Sequence, residues 1–331
     1  VAVGNADTAA VLTLAGVESD AGITLTGTSA DVKVTGLINS TATGNIAISA
    51  TDSGTVSAAA ITNADGNISV ETENGDLTVG ALTATSGDVD ISSSSGDVTT
   101  GAINASGTIS VATDEGDVEV DGTITGGDTV AVTSDLGSVT VSGDIDATGA
   151  VLAVAVGNAD TAAVLTLAGV ESDAGITLTG TSADIIVSGK VAGDALSATT
   201  TTVGDISFAK AVDLTGSATV DAAGDVSFNG ALSFDDDSTI SASGTLTLSS
   251  VDGGDSSLTL VAGEGETSIT SATNINGLSV DTTAGGSATF TVKEIGLDDG
   301  IEGTVTVGGT NGGTTLTVTS KLQLDGTTDK V

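Results

Sequence analysis

The chain is 331 residues long and carries 44 acidic side chains against six basic ones, all Lys, for a formal net charge of −38. It has no Pro, Cys, Met, Trp, Tyr or His, and its only aromatic residues are Phe208, Phe228, Phe234 and Phe290. This composition excludes disulfides, Cys/His metal centres and Ser–His or Cys–His nucleophilic chemistry. The lack of clustered Lys and Arg also excludes generic binding to nucleic-acid phosphates and disfavours docking on anionic membranes.

The 39% hydrophobic fraction comes almost wholly from Ala, Val, Ile and Leu. Side chains of that size suit a narrow interior between closely spaced strands, and their abundance argues against disorder. No apolar run approaches the length of about 20 residues needed to span a bilayer.

Taken in chain order, the segment 1–31 opens with VAVGNADTAAVLTLAGVESD, where short alternating runs predict strands. An amphipathic helix over Ala9–Ala15 is the weaker alternative, disfavoured by β-branched Val11 and Thr13 and by nearby glycines. From Gly44 onward a short signal recurs: Gly, then a small polar residue, then apolar-x-apolar. It starts at Gly44, Gly66, Gly87 and Gly107 and, less regularly, at Gly127 and Gly149, an almost even spacing. A second glycine follows each of the first five about half a unit later, at Gly54, Gly75, Gly96, Gly116 and Gly137. A third short strand completes each unit, as in GALTA from Gly80 and GAINA from Gly101.

The opening segment 1–31 then recurs unchanged at 154–184, which breaks the rhythm: the step from Gly149 to Gly175 is longer than any before it. Wider coils or protruding loops are expected there. The short signal resumes at Gly204, Gly224 and Gly244, placing Phe208 and Phe228 at equivalent positions of successive units. A stacked aromatic pair follows if the units are coils. The segment VTVGGTNGGTTLTV at 305–318 resembles a third start. The expected modules are 1–153, 154–304 and 305–331, the last being a truncated third module or an inter-subunit segment.

Strands of about five residues are not stable as isolated hairpins. No helical periodicity lies between them to make βαβ units. Three strands bent at Gly-containing corners close one coil, and successive coils pair in parallel about 4.8 Å apart. The expected fold class is therefore all-β, a parallel β-helix (β-solenoid) of about 20–22 residues and three short strands per coil, with about 15 to 16 coils in all. Glycine is expected at corners for its positive φ, and Asp or Asn beside it for local turn bonds. The absence of Pro fits a chain whose amides are nearly all needed in ladders.

The segments Gly75–Val79, Gly87–Ile91, Gly96–Thr100, Gly116–Val120 and Gly204–Phe208 resemble the β-helical repeats of filamentous haemagglutinins and autotransporter passenger domains. The resemblance covers about two thirds of the chain by the repeat pattern. It implies a right-handed parallel β-helix, export to the cell surface, and a role in adhesion or surface fibres.

Calcium is the sharpest site expectation, because Ca²⁺ takes several carboxylate and carbonyl oxygens. The candidate ligands are Asp235, Asp236, Asp237, Asp298 and Asp299, with Asp252, Asp255 and Glu302 in similar Gly-rich turns. Solvated turn acids are the plainer reading. Paired carboxylates leave a polysaccharide-active enzyme as a remote alternative, but the chain lacks the aromatic platforms and basic residues such sites use. No other cofactor is expected. A sustained Thr-x-Thr column, of the kind a flat hydroxyl array needs, is not visible at the repeat spacing. The leading expectation is a non-enzymatic, secreted structural subunit of an extracellular fibre or surface layer, polymerising head to tail with itself. An adhesin stalk in a larger surface protein is the alternative, and neither involves nucleic acid or membrane insertion.

Overall fold

Alternating apolar residues turn inward, polar ones outward, and the short runs pair in parallel with their counterparts one coil away. The computed structural model describes residues 2–4, 10–147, 149–157, 163–263, 265–282, 289–295, 305–309 and 315–322, with backbone alone for 2–4 and beyond 281. The chain is all-β, a parallel β-solenoid of about 13 turns, and no helix occurs among the described residues. It divides into two compact units, Val1–Ala168 and Gly169–Val331.

In the first unit three inward-facing aliphatic columns define three faces. On the first face Ile23, Ile46, Ile68, Val89, Ile109, Val130 and Leu152 stand in register. The second holds Leu12, Val32, Val56, Leu77, Val98, Val118, Val139 and Leu165. The third holds Val17, Ile38, Ile61, Leu82, Ile103, Ile124 and Ile145. From Ile23 upward nearly every one of these is fully buried. Each such side chain contributes about 1.5–3 kcal/mol by leaving water, and β-branched residues fit the pleated wall with little rotamer loss.

The second unit repeats the plan. Its first face carries Leu178, Ala198, Val220, Ile240, Leu260 and Val280. Its second carries Val187, Phe208, Phe228, Leu248 and Ile269. The expected aromatic pair is present: Phe208 and Phe228 are fully buried, with ring centroids 4.7 Å apart and planes 24° from parallel.

Several expectations need correction. Ala10–Leu14 is a strand, as is its duplicate Ala163–Leu167, so the helix alternative falls. Parallel pairing with the next coil, from Ala10 on Ala30 to Leu14 on Val34, decides this over local propensity. The turns number about 13 instead of 15 to 16, because coils are not uniform: Ile23 pairs with Ile46, Val32 with Val56 and Val139 with Leu165. That last pairing closes the wide coil that the Gly149–Gly175 interval announces. The longer interval from Gly175 to Gly204 is no wider coil. Gly175 precedes the first-face strand Ile176–Gly180, whereas Gly204 precedes the second-face strand Ile206–Phe208. The glycine signal has moved to the other corner.

The reason for corner glycine also differs from the expected one. Positive φ is found at Gly44, Gly66 and Gly204, among others, but not at Gly75, Gly96, Gly116 or Gly137. Those four lie one above another. A Cβ on Gly96 would fall on the carbonyl of Gly75, one on Gly116 on that of Gly96, and one on Gly137 on that of Gly116. Direct stacking of corner on corner therefore excludes a side chain.

Two substitutions test this packing in urea unfolding. Gly96→Ala is expected to lower stability by about 1–3 kcal/mol, the range for overpacking, while Thr99→Ala on the outer face of the same coil stays within about 0.5 kcal/mol. Phe228→Ala, which removes half of the stacked pair, is expected to cost about 3–5 kcal/mol.

Candidate functional site: the stacked corners

At the first and second corners, residues that follow corner glycines add side-chain rungs to the backbone ladder. Asp97 N donates to Asp76 Oδ1 of the coil below at 3.2 Å, Asp117 N to Asp97 Oδ1 at 2.9 Å, and Ser138 N to Asp117 Oδ1 at 2.7 Å. Val164 N then donates to Ser138 Oγ at 3.2 Å. A parallel ladder runs along the first corner: Asn67 N to Asn45 Oδ1, Asp88 N to Asn67 Oδ1 and Thr108 N to Asp88 Oδ1, all at 2.9–3.0 Å. In the second unit Asp205 N, Asp225 N and Thr245 N donate to Asp184, Asp205 and Asp225 at 2.9, 2.7 and 2.6 Å.

Each corner residue is thus fixed twice to the coil beneath. Its N–H meets a side-chain oxygen below, and its own carbonyl accepts the next amide below, as when Leu77 N donates to Asp97 O and Val98 N to Asp117 O, both at 2.8 Å. The expected role of these acids was a local turn bond. Their observed partners lie one full coil away, because at a tight stacked corner the nearest unpaired amide belongs to the next coil.

A second column is buried. Gly96 N donates to Ser93 Oγ at 2.9 Å, and Ser93 Oγ donates to Gly75 O of the coil below at 3.3 Å. Thr113 repeats this with Gly116 N and Gly96 O, and Ser134 with Gly137 N and Gly116 O. These hydroxyl residues are at most 3% exposed. Sequence reasoning missed them, although a Ser or Thr stands three residues before each of these glycines, as Thr72 does before Gly75.

The calcium candidates divide. Asp298 and Asp299 lie outside the described residues, as does Glu302. Asp235, Asp236 and Asp237 occupy the turn after Val226–Ser233. The Asp235 and Asp236 amides donate to Gly216 O at 3.2 and 3.3 Å, and Asp237 Oδ1 accepts Ser257 N at 2.8 Å in the same inter-coil manner as the ladders. Asp252 Oδ1 accepts Asn274 Nδ2 at 2.9 Å. Among the described residues no three His, Cys, Asp or Glu side chains gather as a metal ion requires.

On the outer first face of the second unit, Thr177, Ser197, Thr219, Thr239, Thr259 and Ser279 stand in one register. A hydroxyl rank therefore exists on this face, hidden from a fixed spacing by the longer step from Ser197 to Thr219. Its companion positions, two residues on, include Asp221, Val261 and Asp281, so it is not a Thr-x-Thr array. On the third face, Lys190 Nζ lies 3.1 Å from Asp213 Oδ2. The hydrogen bond from Lys190, reinforced by Ser233, holds the Asp213 carboxyl below its ordinary range. Both partners are largely exposed, so the pair adds little stability.

Among the described residues no helix is long and apolar enough to cross a membrane. Comparison with known proteins gives no match to a family model, a curated protein or a solved structure. The geometry alone defines the class: a parallel β-solenoid repeat protein.

The ladder needs an acceptor oxygen, not a charge. Asp97→Asn is expected to keep the thermal midpoint or raise it, by relieving repulsion from Asp76 and Asp117, whereas Asp97→Ala is expected to cost about 1 kcal/mol. Raising NaCl to about 0.5 M shortens the screening length to about 4–5 Å and is expected to raise the wild-type midpoint. A midpoint that falls with salt would contradict the view that the acids repel.

Proposed function

We propose that the chain is a non-enzymatic structural building block of an extracellular fibre or surface layer, which lengthens by adding coils head to tail. The observation that carries this reading is the polarity of the corner ladders. In each unit the Asp and Asn side chains of one coil accept amides of the following coil, so a coil's two edges are complementary to each other and not to themselves. A contact built that way is heterologous and leads to open filaments. Strand addition at an exposed edge uses the same backbone groups.

The position outside the cell rests on the resemblance to filamentous haemagglutinin and autotransporter repeats, and on an acidic composition that favours solubility. An adhesin stalk would have the same architecture and differ in being anchored within a larger surface protein. The chain's lack of His, Cys and Arg leaves few groups for catalysis.

Sedimentation velocity and negative-stain electron microscopy over a concentration series test the proposal. Unbranched filaments one solenoid wide, appearing sooner at high salt, are the expected result. A chain that stays monomeric to millimolar concentration at every ionic strength overturns it.

A further inference from the structure

One turn departs from the buried hydroxyl column. In three successive coils the corner glycine amide is held by a hydroxyl three residues back: Gly96 by Ser93, Gly116 by Thr113 and Gly137 by Ser134. In the coil below, the equivalent hydroxyl is Thr72 Oγ1, and it is buried without a hydrogen-bond partner. The Gly75 amide is therefore not tied to it. The residue before Gly75 is Asn74, whose side chain is exposed. Asn74 Oδ1 accepts a hydrogen bond from Ser95 Oγ of the next coil at 2.9 Å, and the same hydroxyl makes a longer contact of 3.5 Å with Glu73 O.

We propose that Asn74–Gly75 is a self-modification site, where the Asn74 side-chain amide is converted without an enzyme to an aspartyl or isoaspartyl group. The Gly75 nitrogen, losing its proton to solvent, attacks Asn74 Cγ. An N–Cγ bond forms and the carbonyl electrons move onto Oδ1, where the Ser95 hydroxyl stabilises the developing oxyanion. The Cγ–Nδ2 bond then breaks and ammonia leaves with a solvent proton, giving a five-membered succinimide. Water, the only co-reactant, opens that ring at either carbonyl. One opening restores the normal backbone with Asp at 74; the other routes the chain through the side chain.

Three features converge here: a glycine next in sequence, which leaves the attack unhindered; a backbone amide not held by the hydroxyl that holds its counterparts; and a donor on the oxygen that must take up charge. Asn229–Gly230 and Asn276–Gly277 share the first and also sit at register breaks of their strands, Val226–Ser233 and Thr267–Thr282. Among the described residues, however, neither Asn oxygen takes a hydroxyl hydrogen bond from the next coil as Asn74 does from Ser95. Asn311–Gly312 is outside the described residues. Conversion at Asn74 adds a negative charge at a turn flanked by Glu73, and the isoaspartyl product lengthens the backbone directly beneath the stacked glycines.

The folded chain is incubated at mildly alkaline pH, cut with an acid-specific protease, and followed by peptide mass spectrometry with isoaspartate detection. Asn74 is expected to convert ahead of Asn229 and Asn276. Ser95→Ala is expected to slow Asn74 by about three- to tenfold, the worth of one modest hydrogen bond, and to leave Asn229 unchanged. In urea the preference for Asn74 is expected to vanish. The proposal is overturned if Asn74 keeps its amide while Asn229 or Asn276 reacts, if Ser95→Ala leaves the rate unaltered, or if the preference survives unfolding.

Discussion

Strands in a solenoid tolerate most side chains, because each points either into the core or out to solvent. Corners do not have that freedom. With coils about 4.8 Å apart, a side chain directed along the stack meets the corner of the neighbouring coil, as the carbonyls facing Gly75, Gly96, Gly116 and Gly137 show. Removing the Cβ permits the stacking but leaves a second difficulty. The amide after the glycine has turned away from the ladder, and a donor left without an acceptor costs about 1–3 kcal/mol where water cannot reach it. The Asp or Asn one coil below supplies the acceptor. The recurring Gly-Asp and Gly-Asn pairs are therefore one device with two parts, the first making room and the second restoring the hydrogen bond.

The same device shows how a chain with a net charge of −38 can stack. Two corner rows, Asp76–Asp97–Asp117 and Asp184–Asp205–Asp225, set like charges one coil apart, a destabilising arrangement in general. Here one oxygen of each ladder carboxylate is engaged by a backbone N–H, a favourable charge-assisted bond. The rows are also short. The ladder from Asp76 passes through Asp97 and Asp117 and continues with Ser138; that from Asn45 has Asp88 as its one charged rung and ends at Thr108; that from Asp184 ends at Thr245. Each hydroxyl residue breaks the run of charge. The aliphatic columns supply the main stabilisation, coil by coil, and each coil interacts mainly with its neighbours.

Much of this was legible in the sequence. Glycine spacing pointed to the three-strand coil, and the equivalence of Phe208 and Phe228 to a buried aromatic pair. What escaped were the interactions between coils. A glycine required by stacking reads the same as a glycine required by positive φ. An Asp that bonds to the next coil reads the same as one that bonds to its own turn. The buried Ser93, Thr113 and Ser134 column was present as a Ser or Thr three residues before glycine, but hydroxyls are expected at the surface and the recurrence passed for turn composition. The shift of the glycine signal from the first corner to the second near Gly204 was hidden for a related reason: a one-dimensional spacing does not say which corner a glycine occupies.

That shift bears on how the stack is specified. In the first unit the first and second corners both carry ladders, the first from Asn45 and the second with a rung from Asp31 to Thr55 and a continuous run from Asp76. In the second unit the continuous ladder runs along the second corner from Asp184, and at the first corner Asp237 makes a comparable bond to Ser257. On the second face, behind that continuous ladder, the core holds the stacked Phe208 and Phe228. The coil therefore does not need every corner to be glycine. It needs at least one corner per turn that fixes the vertical phase, so that the aliphatic columns fall into register. A phase set by a directional side-chain-to-amide bond also gives the column a top and a bottom. Addition of a further coil then repeats a rung of the same kind, and nothing in the rung itself limits how many can follow.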